Sequence, residues 1–369
     1  MAGSSFGNIF KITTWGESHG PALGVVVDGV PAGIEIDEDY IQSFLDRRKP
    51  GNSKFATKRA EADKVEILSG IFEGRTTGTP ISLMIRNTSA RSKDYSDIAS
   101  YYRPGHADYG FSTKYGFRDY RGGGRSSGRE TAARVAAGAI AIKLLSELGI
   151  SVNAYAAQIG PVEIDRQSFD LNESLSNKVC MPDKLAADKA SAFLEECIEK
   201  SDSAGGMIEC VIKGVFPGLG DTVFEKLDAN LAKAIMSVGA VKCVEIGDGI
   251  KAASLLGSEN NDSFIADTSA YNKISKSTNH SGGILGGMSD GSDIILRAAI
   301  KPTPSIAQNQ KTVNADGEEI EISIHGRHDP IIVPRAVVVI EAMSALVIAD
   351  ALLMNMTARL DRIKEFYKK

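Results

Sequence analysis

The sequence predicts an α+β fold in which central helices lie sandwiched between antiparallel sheets. Residues 131–148 and 336–356 are apolar on nearly every side, which is typical of helices buried in a core. Residues 206–215, 242–249 and 293–301 mostly alternate apolar and polar side chains, as antiparallel strands with one buried face do. This order of segments argues against repeated winding around a parallel sheet.

Two parts of the chain resemble each other, which predicts an internal duplication. Residues 25–34 (VVVDGVPAGI) are similar to residues 210–219 (CVIKGVFPGL), and each stretch is followed by a predicted helix. Further on, VEILSGI and VEIGDGI each combine a strand pattern with a turn glycine. We expect two strand–helix–strand units related by a pseudo-twofold axis. The predicted helices cover residues 37–48 and 222–238, and the later strands cover residues 65–71 and 244–250.

The composition is that of an ordinary globular protein. The chain has 369 residues, of which 43% are hydrophobic and 24% charged, with a net charge of −5. An acidic chain does not attract nucleic acid or an anionic membrane through its overall field, so any anion site must come from local clusters. The N-terminal stretch lacks the basic start and apolar core of a secretory signal, which favours a cytoplasmic location.

Residues 336–356 are long enough to cross a membrane, but we predict a buried helix. Glu341 and Asp350 interrupt the stretch, and charges at bilayer depth cost several kcal/mol. The helix is therefore expected in the core or at a subunit interface.

The cysteines have no CxxC spacing and lie in apolar or helical surroundings, which predicts reduced core residues and no metal site. They are Cys180, Cys197, Cys210 and Cys243.

Arginines and glycines concentrate in residues 118–130, directly before the predicted helix at 131–148. Ser127 and Glu130 have the spacing of a capping box, and Gly149 follows the helix where a glycine cap would end it. The sequence therefore predicts a helix that begins at this loop.

The same loop predicts an anion site. Arg125, Arg129 and the free N–H groups of the helix would converge on residues 122–126, which suits a phosphate or a carboxylate. No GK[ST] follows the glycines and no GxGxxG follows a strand, so nucleotide-loop motifs are excluded. The alternative is a solvated, arginine-rich turn.

All five histidines lie in Gly-, Ser- or Asp-rich contexts typical of loops, where functional side chains are often found. Pro104 and Gly105 predict a turn that presents His106. No HxH or HExxH spacing supports metal binding. The five are His19, His106, His280, His325 and His328.

Three further stretches carry glycines or charge. The glycine-rich residues 277–291 could approach a flat ligand closely through their backbone. Asp329 precedes Pro330 and follows a basic segment, and an aspartate beside an arginine stays ionised. Residues 45–59 form a basic stretch that is either a solvated loop or a lid over an anion.

Five motifs together resemble the chorismate synthase family: GESHG, RPGHADY, YRGGGRSSGRET, TNHSGGILGG and GRHDP, in the family's order, between residues 7 and 360. The resemblance implies a lyase that eliminates phosphate from 5-enolpyruvylshikimate 3-phosphate to give chorismate. It also implies reduced FMN as a cofactor that is not consumed. A single domain over residues 1–369 and a cytoplasmic homotetramer follow from the same resemblance.

Carried over position by position, the resemblance assigns candidate site residues. His19 and His106 match two catalytic histidines, one assisting phosphate departure and one protonating the reduced flavin. Asp329 matches an aspartate that acts with the flavin in removing the C6 proton. The matched flavin-binding residues are Arg125, Ser126, Ser127, Gly239, Ala240, Gly286, Lys301, Pro302, Thr303, Pro304, Ser305 and Arg327. Those matched to substrate or NADP binding are Arg48, Lys54, Arg103 and Arg129.

Two positions depart from the family's pattern, and two other functions are alternatives. Lys54 replaces a common arginine and cannot make the same bidentate contact, and Gly239 replaces a common asparagine. A flavin reductase would oxidise a nicotinamide cofactor without the shikimate substrate. An RNA-binding module needs a basic face, which the acidic composition opposes. The sequence leaves two sources of reduced flavin open: reduction by this enzyme with NADPH, or reduction by a separate reductase.

Overall fold

The computed structural model describes residues 3–49, 51, 55, 62–88, 97–121, 123–324 and 329–368. Its strands are β1 (Ser5–Phe6), β2 (Lys11–Gly16), β3 (Ala22–Asp28), β4 (Val65–Ser69), β5 (Ile71–Phe72), β6 (Arg75–Thr76), β7 (Ile81–Arg86), β8 (Ser151–Ile159), β9 (Val162–Glu163), β10 (Gly206–Lys213), β11 (Val241–Ile246), β12 (Phe264–Ala266), β13 (Ile274–Lys276), β14 (Ile284–Leu285), β15 (Met288–Ser289), β16 (Ile294–Ile300), β17 (Asn309–Val313) and β18 (Glu319–Ser323). The helices are α1 (Glu38–Arg48), α2 (Asp108–Tyr115), α3 (Thr131–Ser146), α4 (Leu171–Ser176), α5 (Lys184–Glu199), α6 (Leu227–Met236), α7 (Gly257–Asn260), α8 (Val333–Asn355) and α9 (Leu360–Phe366).

Two five-stranded antiparallel sheets form the framework of the described chain. One has the strand order β1-β2-β3-β7-β4, and the other has the order β11-β16-β10-β8-β9. Strand β16 buries every second residue along its length, as the sequence predicts, whereas β10 and β11 do not alternate strictly. The predicted combination of helices with antiparallel sheets is therefore confirmed.

The helices α3 and α8 cross at the centre of the core. A Cβ atom built on Gly138 would lie 2.3 Å from the Cβ of Ala342, so glycine allows the two backbones to approach this closely. Helix α3 contacts β3 and β7 of the first sheet, and α8 contacts β8 and β10 of the second. The paired helices thus lie between the two sheets, as the apolar pattern predicts.

The two charges of α8 are bound within the protein. Glu341 is 4% exposed, and its carboxylate accepts hydrogen bonds from both terminal nitrogens of Arg47, at 2.6 and 3.0 Å. Asp350 accepts the backbone N–H groups of residues 8–10. In the part of the chain that the structure describes, α8 alone is long and apolar enough to cross a membrane, and 83% of its most apolar window is buried. The prediction of a buried helix is confirmed.

Several local predictions need correction. The helix expected over residues 222–238 begins only at Leu227, because Val223 has a φ of +58° and cannot continue a right-handed helix. Of the repeated stretch at residues 25–34, only Val25–Asp28 belongs to β3, and Gly29 after it has a φ of +74°.

The prediction that all four cysteines are core residues is also wrong. Cys197 and Cys210 are buried, whereas Cys180 is half-buried and Cys243 is exposed. Burial raises the pKa of the Cys180 thiol to about 11 and raises that of Cys210 as well. These thiols remain protonated at neutral pH.

Candidate active site

His106 lies at the end of the predicted turn, with each ring nitrogen next to a defined partner. Its Nδ1 is 3.1 Å from the carbonyl of Pro104, and its Nε2 is 3.1 Å from the hydroxyl of Ser305. A carbonyl only accepts, so Nδ1 carries the proton and Nε2 of the neutral ring accepts from Ser305. Burial, followed by the charge of Arg103, lowers the pKa of His106, which favours this neutral form.

The predicted flavin segment, residues 301–305, packs directly on the His106 turn. The Nζ of Lys301 donates to the carbonyl of Gly105 over 2.7 Å. A Cβ on Gly105 would lie 2.7 Å from the Cβ of Pro304, and its φ is +70°, so this position requires glycine. The structure therefore brings His106 together with Lys301, Pro304 and Ser305.

Arg103 is fixed by a buried carboxylate at the start of α2. Its Nε and Nη2 atoms each lie 2.7 Å from the carboxylate oxygens of Asp108, a bidentate pair. Arg118 adds a second contact to the same carboxylate at 3.0 Å. Burial opposes ionisation of Asp108, but its hydrogen bonds with Arg103 outweigh burial and lower its pKa. The sequence did not single out Arg118 as a site residue.

Arg48 and Arg129 share one buried carboxylate, Asp63. The Nη2 of Arg48 lies 2.9 Å from Asp63 Oδ2, and Nη1 of Arg129 contacts Oδ1. Burial opposes ionisation of Asp63, but the charges of Arg48 and Arg129 outweigh it and lower its pKa. Burial also lowers the pKa of Arg48 to about 10, so the guanidinium is charged at neutral pH. Arg48 is thus the buried last residue of α1, rather than part of a basic loop.

Asp329 is joined to this cluster by Arg335. Nη1 of Arg335 forms a salt bridge with the carboxylate of Asp329, and its Nε donates to the carbonyl of Arg48 over 3.1 Å. The sequence predicted an arginine beside Asp329 but did not identify Arg335, which lies in the first turn of α8. Lys54, Arg327, His325 and His328 lie outside the described residues.

The turn that carries His19 is joined to Arg129 through Asn87. The side-chain nitrogen of Asn87 donates to the carbonyls of Glu17 and Gly20, at 2.9 and 2.7 Å. Its side-chain oxygen accepts from Arg129 Nε over 2.9 Å. Nδ1 of His19 lies 3.1 Å from the hydroxyl of Ser18.

A short segment at residues 203–204 connects the His106 side to Asp329. The hydroxyl of Ser203 donates to the carbonyl of Thr303 over 2.7 Å, and the backbone N–H of Ala204 donates to the carbonyl of Pro330 over 2.9 Å. Hydrogen bonds and chain neighbours therefore lead from His106, past Asp329 and Arg129, to the His19 turn. All three predicted catalytic residues belong to this polar network.

The arginine-rich loop before α3 differs from its prediction. Helix α3 begins at Thr131, after two short 3-10 turns, and the capping box does not form. The carboxylate of Glu130 instead accepts from Thr14 and Arg134, at 2.9 and 2.8 Å. The hydroxyl of Ser127 accepts from the backbone N–H of Arg129. Gly149, with a φ of +72°, ends the helix region as predicted.

The side chain of Arg125 does not point to an open anion site as the sequence predicts. Its guanidinium donates to the carbonyl of Gly16 at 3.1 Å and to the hydroxyl of Thr14 at 2.6 Å. Ser126 donates its hydroxyl to the carbonyl of Gly123 over 2.7 Å. The loop is therefore bound to the last residues of β2.

The remaining predicted flavin residues divide between two places. The carbonyl of Ala240 accepts a hydrogen bond from the backbone N–H of Lys301 over 2.9 Å. Ala240, and Gly239 directly before it, therefore lie beside the 301–305 segment. A φ of +71° at Ala240 is uncommon for a residue with a Cβ, and such strain is typical of functional sites. Gly286 is at the tip of the β14–β15 hairpin, whose described contacts include Leu219 and Leu227.

A cavity of about 440 Å³ borders the network at Arg335. Its described lining also includes Arg47, Lys49 and the apolar residues Val337 and Val338. Among the described residues, no group of His, Cys, Asp or Glu is arranged to hold a metal ion.

Comparisons with known proteins agree on one family. The family model described as chorismate synthase matches residues 10–353. The chain is 68% identical to "Chorismate synthase" of Agathobacter rectalis over 369 residues, covering 100% of both chains. It is 51% identical to "Chorismate synthase" of Cytophaga hutchinsonii over 360 residues, covering 97% of this chain and 99% of the relative. A structure titled "Crystal Structure of Chorismate Synthase" matches with a TM-score of 0.74 and 32% identity, over 98% of this chain and 96% of that chain.

Proposed function

The chain belongs to the chorismate synthase family, and we propose that the polar network around His106, Asp329 and His19 is its active site. The resemblance predicted from the sequence motifs is thereby confirmed. The enzyme is a lyase of the shikimate pathway that forms chorismate by eliminating phosphate. The observation that carries the proposed site is the series of hydrogen bonds, ion pairs and chain neighbours that links these three residues.

The substrate, 5-enolpyruvylshikimate 3-phosphate, is a polyanion, and the network supplies matching charge. We assign its carboxylates and phosphate to Arg48, Arg103 and Arg129, with Lys54 assigned by resemblance alone. Each described arginine is held by a buried carboxylate, so its donors are oriented before the substrate arrives. Preorganised donors that stabilise a departing phosphate in a water-poor site are a large catalytic contribution.

We assign proton transfer to Asp329, within the network, and to His106 and His19, at its two ends. The reaction breaks the bond from C3 to the phosphate oxygen and removes the proton at C6, with no net oxidation or reduction. Asp329 would accept the C6 proton, and Arg335 holds its carboxylate in place. Of His106 and His19, one would assist phosphate departure and the other would protonate the reduced flavin when it is bound.

Reduced FMN is the cofactor that the family requires, and the 301–305 segment fits it. The hydroxyl of Thr303 is buried without a hydrogen-bond partner in the described part of the chain, so one donor there is available to a ligand. When bound, reduced FMN would supply an electron-rich ring beside the substrate. Ser126, Ser127, Gly239, Ala240 and Gly286 are further proposed contacts. Arg125 would join them only by giving up bonds to Thr14 and Gly16, and Arg327 is proposed by resemblance alone.

The source of electrons for the flavin is proposed to lie outside this chain. The sequence has no long insertions of the kind expected of a self-reducing enzyme. NADPH would then act only indirectly, through a separate reductase, although Arg48 and Lys54 are candidates for contacting it.

We further propose that residues 1–369 form one domain of a cytoplasmic homotetramer. A partner of the same kind would cover some of the large apolar side chains that the described surface exposes. Phe224 is 88% exposed and Phe264 is 64% exposed.

The internal duplication remains a proposal that the strand registers support. In each sheet, two strands separated by a helix flank a third, later strand: β3 and β4 flank β7, and β10 and β11 flank β16. The matched stretches also occupy matching registers. The pairs are Val25 with Leu83 and Ile67 with Leu83 in the first sheet, and Cys210 with Leu296 and Ile246 with Leu296 in the second.

The test is an anaerobic assay with photoreduced FMN and 5-enolpyruvylshikimate 3-phosphate, following chorismate by absorbance and phosphate release. We expect both products to form. Repeating the assay with NADPH and oxidised FMN tests self-reduction, and no product is expected there. Folded protein that binds flavin but forms no chorismate would contradict the proposed site.

A further inference from the structure

Asp63 is the most deeply buried carboxylate of the polar network, and no motif points to it. Its side chain is 0% exposed, and those of its partners Arg48 and Arg129 are 3% and 8% exposed. One oxygen faces each arginine, so the three groups form a buried Arg–Asp–Arg triad with a net charge of +1.

The backbone around Asp63 is fastened to α1, the helix that also ends in Arg48. The side-chain nitrogen of Gln42 donates to the carbonyl of Ala62 over 3.3 Å, and its oxygen accepts the N–H of Val65 over 3.1 Å. Asp63 lies between these two anchors, with a φ of +45°, a conformation that aspartate tolerates better than most residues. This carboxylate is therefore part of a fixed support.

The carboxylate at the centre of the triad allows two guanidinium groups to lie close together. Two guanidinium groups in a buried site repel each other, and the repulsion is stronger there than in water. The carboxylate of Asp63 offsets this repulsion and, through separate oxygens, fixes the orientation of each planar group. The remaining contacts of Arg48, with the carbonyl of Gly128 at 3.0 Å and the hydroxyl of Thr131 at 3.2 Å, hold it against the start of α3.

One donor of the triad is left for a ligand. The Nε atom of Arg48 is buried and has no hydrogen-bond partner in the part of the chain that the structure describes. An unpaired buried donor is costly, so such a group is expected to have a ligand.

From this geometry we infer that Asp63 is a positioning residue that presents Arg48 and Arg129 together to one anionic group of the substrate, a carboxylate or the phosphate. The inference rests on the proposed function, since it assigns the triad to the same active site. The competing role, an anion that occupies the arginines until substrate displaces it, requires a mobile carboxylate. The anchors of Gln42 on both sides of Asp63 argue against that role.

The experiment compares Asp63→Asn with Glu341→Gln in the anaerobic chorismate assay. Both variants remove a buried carboxylate that pairs with an arginine at the end of α1, but Glu341 pairs with Arg47, outside the triad. We expect Asp63→Asn to raise KM for the substrate about tenfold or more while kcat falls much less. Glu341→Gln should leave KM unchanged even where it lowers the melting temperature.

Two further variants keep the test decisive if Asp63→Asn folds poorly. Asp63→Glu retains the charge and should restore part of the affinity, and Gln42→Leu removes the anchors and should raise KM in the same direction. An unchanged KM in both Asp63→Asn and Gln42→Leu would overturn the inference. A lower KM in Asp63→Asn would also overturn it, because Asp63 would then compete with substrate. If the unmodified enzyme forms no chorismate, it is the proposed active site that fails.

Discussion

The hydroxyl of Ser305 lies 3.1 Å from Nε2 of His106, although 199 residues separate them in sequence. This contact joins a turn that presents a histidine to the segment predicted to hold the flavin. Because Nδ1 is already bound to the carbonyl of Pro104, the imidazole is fixed in one orientation and one tautomer. A ring held in this way is suited to handling a proton at Nε2.

His106→Ala is expected to lower kcat by about two to three orders of magnitude, the usual range for a lost acid–base group. The fold should survive, because His106 is only half-buried and its turn is also held by Lys301. Turnover is measured with photoreduced FMN, and folding by circular dichroism and melting temperature. The matched control is His280→Ala, which removes a loop histidine paired with Asp248 outside the network. Near-normal turnover in His106→Ala would exclude it from the mechanism.

Acid should destabilise the protein partly through His106. Burial and the charge of Arg103 lower its pKa in the folded state from the ordinary value of 6.5. The unfolded chain therefore binds the proton more tightly, and stability is lost as the pH falls below 6.5 towards the folded-state value. Urea unfolding should give a shallower decline in the free energy of unfolding over this range for His106→Asn than for the native protein. Parallel declines would contradict this assignment.

Asp329→Asn should slow the chemical step and leave flavin binding intact. The amide keeps the size of the side chain, but it can no longer accept a proton as the carboxylate can. We expect a fall in kcat of about a hundredfold or more, with little change in the FMN dissociation constant measured by fluorescence. Arg335→Met tests the support of the carboxylate and should give a smaller fall. A native rate in Asp329→Asn would remove its proposed role.

The parts of the site that sequence could predict are those carried by contiguous motifs. His106, Lys301 and Ser305 lie in short stretches whose residue types already indicate turns and anion binding, and the structure brings them together. Asp63 and Arg335 have no such signal, because their partners Arg48, Arg129 and Asp329 come from other elements. Which charges pair is decided by the tertiary fold, and a single sequence does not contain that information in local form.

The capping box illustrates how other partners, one tertiary and one local, override a sequence pattern. Ser127 and Glu130 have the required spacing, but the carboxylate of Glu130 instead accepts from the buried Thr14 and from Arg134, one turn along α3. A charge-assisted bond with an arginine contributes more than the reciprocal cap to a backbone N–H. By contrast, the helices α3 and α8 were predictable because an apolar surface on every side leaves burial as the one stable arrangement.

The crossing of α3 and α8 at Gly138 gives a prediction about stability. Alanine is favoured over glycine in a helix by about 1 kcal/mol, so Gly138→Ala would stabilise an isolated helix. Here the added Cβ would lie 2.3 Å from the Cβ and 2.6 Å from the Cα of Ala342, so the helices must separate. Overpacking of this kind costs about 1–3 kcal/mol or more, which outweighs the propensity gain.

The matched control for that crossing is Gly110→Ala in α2, where an added Cβ has no neighbour within 4 Å. Only the propensity term acts at that exposed position, so its melting temperature should rise slightly. Gly138→Ala should lower the melting temperature, and thermal unfolding of both variants measures the contrast. If Gly138→Ala proved as stable as the native protein, the two central helices would have to pack with a wider separation than the structure gives them.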